Sequence, residues 1–327
     1  MALKTKLTEL LGIEHPVIAA PMALVSGGAL ARAVSEAGGL GLIGGGYCDG
    51  EWIGQAWRDA GNTKVGIGFI TWALEAALKD QPSLLEDALA HEPGAIWLSF
   101  GDEGPFSAEI KAAGVPLICQ IQTLEDAKRA LDAGADVLVA QGTEAGGHGA
   151  KRATLPLVPA VVDIAGDVPV VAAGGIADGR GVAAALMLGA SGVAMGAAFY
   201  AATEALSHPA GRARLVAADG DSTVRTSVID VARDLPWPEQ YNIRVLRNDL
   251  TEKWQGKEAA LRQSSDDKAA IVDAYTKAVG EGDFDTAAVV VGEGADLIKR
   301  EAPAADILHQ LIKETERCLS APPGLKL

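Results

Sequence analysis

The densest group of residues able to do chemistry is Gln141-Gly142-Thr143-Glu144-Ala145-Gly146-Gly147-His148-Gly149. Its imidazole stands between glycines, which let backbone approach a ligand closely, and the segment directly follows the apolar run Val137-Leu138-Val139. With an ordinary pKa of about 6.5, a histidine so placed suits proton transfer or hydrogen-bond donation near neutral pH. His15, His91, His208 and His309 lack that setting and read as structural or solvated. Two glycine turns, Ala173-Gly174-Gly175-Ile176-Ala177-Asp178 and Gly196-Ala197-Ala198, also follow apolar runs. Backbone N–H groups in such turns can cradle a phosphate, and Gly175 and Gly196 are the residues chosen for it, tight strand–helix packing being the other reading. Ala20-Pro21-Met22-Ala23 reads either as a surface for a flat ligand or as a plain strand-ending turn. Gly44-Gly45-Gly46 and Thr71-Trp72 are further candidates for the wall of a pocket. The chain has no G-x-G-x-x-G after a first strand, no G-x-x-x-x-G-K-[ST], no H-E-x-x-H and no paired Cys/His spacing, so a Rossmann site, a P-loop and a metal site are not expected.

These residues need a scaffold, and the sequence repeats one. A helix-period segment, a glycine turn and a short apolar run recur at 29–43, 124–139 and 182–195. Glycine at that point ends a helix in a left-handed residue before the chain reverses. The runs are continuously apolar, as strands covered on both faces must be. Further runs at 17–19, 65–69, 95–99, 115–118 and 168–172 bring the count to eight. Eight strands alternating with helices predict an α/β protein, a (β/α)8 TIM barrel, in preference to an open doubly wound sheet. In a barrel the residues just after each strand form the site. Residues 213–287 change character, with two charged helical stretches and Trp237, Tyr241, Trp254 and Tyr275, and read as a smaller, mainly helical inserted domain or lid. The barrel would then comprise 1–212 and 288–327, closed by an amphipathic helix over 304–318.

Composition bounds the function. The chain has 327 residues, 49% hydrophobic and 22% charged, which fits a globular protein. Its 43 acidic and 28 basic residues leave a formal charge of -15, so neither nucleic acid nor an anionic membrane is an expected partner. Cys48, Cys119 and Cys318 form no framework, which points to a reducing cytoplasm. The apolar stretch 17–31 is preceded by Glu9 and Glu14 and broken by Pro21, so it reads as buried structure, not a leader, and no run is long enough to span a bilayer.

Together, AAPMALVSGGALARAVSEAGGLG, VAQGTEAGGHG, VVAAGGIADGRG, GVAMGAAF and TVRTSVIDVARDLPWPEQY resemble the nitronate monooxygenase family, formerly the 2-nitropropane dioxygenases, over nearly the whole chain. The most specific element is EAGGH. The resemblance implies an FMN-dependent barrel that oxidises alkyl nitronates, with nitroalkanes as further candidate substrates, using O2 and giving carbonyl compounds and nitrite. By position it implies that Ala20, Pro21 and Met22 lie along the flavin ring, with Gly68 near it. It implies Gln120 and Gln141 at flavin polar atoms, Gly146 and Gly147 against the ring, and Gly174, Gly175, Ala194, Met195, Gly196 and Ala197 around the phosphate. His148 matches the active-site histidine, as a base toward nitroalkanes or, as preferred for nitronates, a hydrogen-bond donor. Many relatives carry asparagine where Gly68 stands and threonine or serine where Ala197 stands, so those contacts would pass to backbone or water. Expected partners are thus a small nitro compound and O2, and a homodimer is compatible with the sequence. Two rival readings are an FMN-dependent NAD(P)H reductase of quinones or enoyl thioesters, and a flavin-free isomerase or lyase.

Overall fold

A computed structural model describes residues 3–321 and 323–324. Eight parallel strands close into a barrel: β1 Val17–Ala19, β2 Leu40–Gly46, β3 Gly66–Ile70, β4 Ile96–Ser99, β5 Leu117–Ile121, β6 Val137–Gln141, then, past the short strand β7 Gly147–Gly149, β8 Val170–Ala173 and β9 Gly192–Met195. Ala19 pairing with Met195 and with Gly41 closes the ring. All eight predicted runs are strands, and the barrel reading holds over the open sheet.

Alternate strand residues divide between two cores, the division a pleated strand imposes. Ile18, Leu42, Trp97, Ile118, Val139 and Val171 fill the barrel, with Leu7 of the short helix Lys6–Leu11 packed among them. Ile43, Ile67, Leu98, Leu138 and Val193 face the surrounding helices. Strong caps start several of these helices: Thr123 and Asp126 form a reciprocal capping box, and the Asp178 carboxylate accepts from the N–H groups of Arg180 and Gly181. The helix Ala304–Ser320 packs on Gly179–Met187 and Gly28–Glu36, closing the ring as its amphipathic pattern predicts.

Two local readings change. Gly44–Gly46 continue β2 rather than ending it, with a register shift between Gly44 and Gly46. A Cβ on Gly44 would lie 2.2 Å from the Met22 carbonyl oxygen, so only glycine lets the β1 loop fold over this strand. Gly147-His148-Gly149 is not a free loop but β7, which pairs antiparallel with β11 Asn242–Leu246, itself paired with β10 Thr223–Thr226. Thus 213–287 contains two strands besides the helices Val228–Ala232, Asp249–Trp254, Glu258–Gln263 and Ser265–Glu281. The apolar run at 287–292 forms no strand and leads into a 3-10 turn, Glu293–Leu297. The stretch 17–31 is β1, its loop and the start of a largely buried helix. Among the described residues no helix is long and apolar enough to cross a membrane.

Candidate active site

A cavity of about 300 Å³ opens at the C-terminal ends of the strands, within the size range of small-ligand sites. Every residue singled out above from the family resemblance lines it. Ala20, Pro21 and Met22 come from the loop after β1, Gly68 from β3, Gln120 from β5 and Gln141 from the end of β6. Gly146 leads into β7, which holds Gly147 and His148; Gly174 and Gly175 follow β8; Ala194 and Met195 lie in β9, with Gly196 and Ala197 just beyond. Of the other candidate wall segments, Gly46 reaches the cavity, whereas Trp72 stands behind the wall, edge-on to Tyr47 and Trp237.

The floor has the features a flat, phosphorylated heterocycle requires. A Cβ on Gly68 would lie 2.4 Å from Pro21 Cγ, so the proline ring covers this glycine and presents an apolar plane. The Gln141 Oε1 accepts from Gln120 Nε2 at 3.0 Å and from Gln122 Nε2 at 2.8 Å. That fixes the Gln141 amide and leaves its own NH2 without a protein acceptor among the described residues. The Trp97 indole N–H, in the same wall, is buried and unpartnered. Gly174 and Gly175 are both left-handed, at φ 111° and 71°, a conformation that turns successive N–H groups to one side. A Cβ on Gly196 would meet nothing nearer than Met22 Sδ at 3.5 Å, so a side chain there would enter open cavity. Ala197 and Ala198 begin a short helix, where N–H groups have no intrahelical acceptor. Donors that lack protein acceptors, beside an apolar plane, fit FMN.

His148 is buried, and its Nε2 lies 2.7 Å from Oδ1 of Asp230, which is 1% exposed on the helix Val228–Ala232. Trp237 stacks on the imidazole with centroids 3.4 Å apart and planes 7° from parallel, and Phe100 meets it edge-on. Burial lowers the His148 pKa below 6.5, outweighing the hydrogen bond and charge of Asp230, which raise it. The ring is therefore neutral at pH 7. A carboxylate only accepts, so Nε2 keeps the proton and Nδ1 carries the free lone pair. The arrangement can take a proton from a carbon acid bound in the cavity.

The loop bearing His148 is held by its carbonyls. The Arg225 guanidinium donates to the carbonyls of Thr143 at 2.9 Å and Ala145 at 3.2 Å, and Arg244 donates to Thr143 at 3.1 Å. Desolvation among these groups pulls the Arg225 pKa down to about 10. Asp230, Gln122 and Arg225 were not singled out from sequence. The contact between His148 and Asp230 spans 82 positions, and no local spacing encodes it.

A model of the nitronate monooxygenase family matches residues 4–63 and 72–314. The chain is 36% identical to nitronate monooxygenase npaC of Metarhizium robertsii, across 93% of this chain and 92% of that protein. It is 34% identical, over 81% of this chain and 74% of the other, to a (3aS,4S,5R,7aS)-5-hydroxy-7a-methyl-1-oxo-octahydro-1H-indene-4-carboxyl-CoA dehydrogenase of Mycobacterium tuberculosis. Among solved structures, FabK from Thermotoga maritima superimposes with a TM-score of 0.83 at 32% identity, covering 97% of this chain and 98% of its own.

Proposed function

The chain belongs to the nitronate monooxygenase family and is an oxidoreductase, and on that premise we propose that it holds FMN in the barrel mouth and oxidises alkyl nitronates, and nitroalkanes, with O2. FMN in this position would accept electrons from the substrate and pass them to O2, yielding a carbonyl compound and nitrite. The protein's own work is binding, orientation and one proton transfer. Gln141 and the Trp97 indole N–H would meet acceptors of the ring, Pro21 its face, and the backbone about Gly175 and Gly196 the phosphate. A nitronate arrives without its α-proton, so His148 has nothing to remove from it. A neutral nitroalkane still carries that proton, and the Nδ1 lone pair of His148 takes it while Asp230 stabilises the imidazolium formed at Nε2. This reading prefers the base role for His148 to the donor role, because its Nε2–H already meets Asp230.

The observation that carries this reading is the buried His148–Asp230 pair beside a cavity whose unpartnered donors suit a flavin. The test is an absorbance spectrum of the purified protein, followed by anaerobic additions of ethyl nitronate and, separately, NADH. Flavin absorbance that bleaches with nitronate supports the proposal; a colourless protein that takes up no added FMN overturns it. The likeness to a carboxyl-CoA dehydrogenase favours one rival, a reductase on this scaffold, for which rapid bleaching by NADH alone is the signature.

A further inference from the structure

The cavity has an unusual charge inventory for so acidic a chain. No Asp, Glu or Lys is among its lining residues, and Arg233 is the one guanidinium. Over the whole chain acidic residues outnumber basic ones 43 to 28. Arg233 caps the C-terminus of the helix that brings Asp230 to His148. Its guanidinium carbon sits 5.3 Å from the centroid of the Tyr47 ring, a cation–π position that orients the group without neutralising it. Tyr47 is itself fixed, because its hydroxyl accepts from Trp237 Nε1 at 3.0 Å.

The neighbouring cations are already engaged. Arg244 pairs with Glu293 at 2.8 Å, Lys268 pairs with Asp234, and Arg225 is consumed by loop carbonyls. Arg233 forms no ion pair within 4.0 Å among the described residues. The nearest carboxylate on its own helix, Asp230, is turned to His148. A cation in a cavity wall, stacked on an aromatic ring and free of a carboxylate, is a built anion receptor.

We propose that Arg233 receives the negative charge of the substrate and makes this enzyme selective for anions, nitronates above all, over neutral nitro compounds of the same shape. The inference rests on the nitronate reading and names the residue that enforces it. It also divides the labour of the site: Arg233 holds the anion's oxygens, and His148, whose pKa the Arg233 charge helps to lower, is left as a neutral base.

The FMN-loaded enzyme and its Arg233→Lys and Arg233→Met variants test this. Loss of one charge-assisted hydrogen bond corresponds to roughly a 10- to 100-fold weaker interaction. Arg233→Met should therefore raise KM for propyl nitronate by that factor, leave KM for 1-nitropropane within about threefold, and leave FMN content unchanged, with Arg233→Lys between. A second readout does not depend on turnover. Butyrate, a planar anion, and butyramide, its neutral counterpart, are titrated into wild-type holoenzyme while the absorbance of its flavin or its tryptophan fluorescence is followed. Wild type should favour butyrate by at least about tenfold and Arg233→Met should not. Equal affinity for the two in wild type, equal rises in KM for propyl nitronate and 1-nitropropane, or loss of FMN instead of substrate would each overturn the assignment. If wild type discriminates through Arg233 yet oxidises neither nitro compound, the anion receptor stands and the nitronate reading falls.

Discussion

Asp230→Asn is the substitution that most directly probes the base. It keeps the shape of the side chain and removes the charge 2.7 Å from His148 Nε2. A hydrogen bond to a charged group contributes ~1.5–3 kcal/mol, so losing the carboxylate as the imidazolium forms should slow proton removal by roughly 10- to 150-fold. If the new amide turns its NH2 toward Nε2, the ring proton moves to Nδ1 and no lone pair faces the cavity; losses on the order of ten thousandfold accompany such tautomer inversion elsewhere. The assay compares kcat/KM for nitroethane with that for ethyl nitronate, at equal FMN occupancy. Neutral nitroethane should suffer the whole loss and the nitronate less than about threefold, since it needs no base. The pH dependence carries its own sign. Wild-type activity on nitroethane should fall as pH drops through the His148 pKa, which burial places below 6.5. Asp230 raises that pKa, so its neutralisation should move the inflection to lower pH while the plateau drops. Equal losses on both substrates, or an inflection that moves upward, would refute the assignment of His148 as a base oriented by Asp230.

Removing the ring stacked on His148, Trp237→Leu, should relieve the burial that lowers its pKa and shift the acid inflection upward, opposite to Asp230→Asn; a downward or absent shift in the nitroethane profile counts against burial as the cause. The lost ring contact, ~0.5–1.5 kcal/mol, should cost about 2- to 12-fold in kcat/KM. Gly196→Val places its branches in open cavity at an ordinary φ of −102°, so apoprotein melting should barely change while FMN affinity, read by flavin fluorescence, falls at least about tenfold; retained affinity would remove the phosphate from this turn. Arg225→Ala leaves the Thr143 carbonyl to Arg244 but strips the donor from the Ala145 carbonyl, a group that costs ~1–3 kcal/mol when left unpaired, so urea unfolding should show a loss in that range; a loss under ~1 kcal/mol would mean that water replaces the clamp.

What the sequence disclosed and what it hid divide along the range of the interactions. The barrel was legible because a strand buried on both faces must be apolar throughout, so runs such as Val137–Val139 and Val193–Met195 announce themselves locally, as do the glycine turns that end the preceding helices. The site floor was legible in part for the same reason: in a closed parallel barrel every strand end converges on one mouth, so turns such as Gly174-Gly175 and Gly196-Ala197 line it, whereas Gly68, Gln120 and Ala194 were reached only through the family resemblance and Trp72 lies behind the wall. β7 was hidden because Gly147-His148-Gly149 has no strand propensity. It is extended only because β11, from the inserted segment, pairs with it, His148 opposite Ile243.

On the proposed function, that pairing makes the segment 223–246, and not the barrel, the part that would decide the chemistry. The barrel alone supplies a cradle of glycines and amides that could serve many reactions. The segment 223–246 adds each group that gives the histidine a direction: β11 fixes its backbone, Asp230 its proton, Trp237 its desolvation, and Arg225 the loop on which it rides. A base aimed this way tolerates little play, because a buried imidazole that loses its carboxylate partner also loses its tautomer. Substitutions in this segment should therefore alter proton transfer before they alter FMN binding, whereas substitutions at Gly175 or Gly196 should do the reverse. Measuring cofactor affinity and the nitroalkane-to-nitronate activity ratio on both sets separates the two roles: a segment variant that loses FMN while keeping that ratio would show that the insertion is a lid on the cofactor and not the frame of the base.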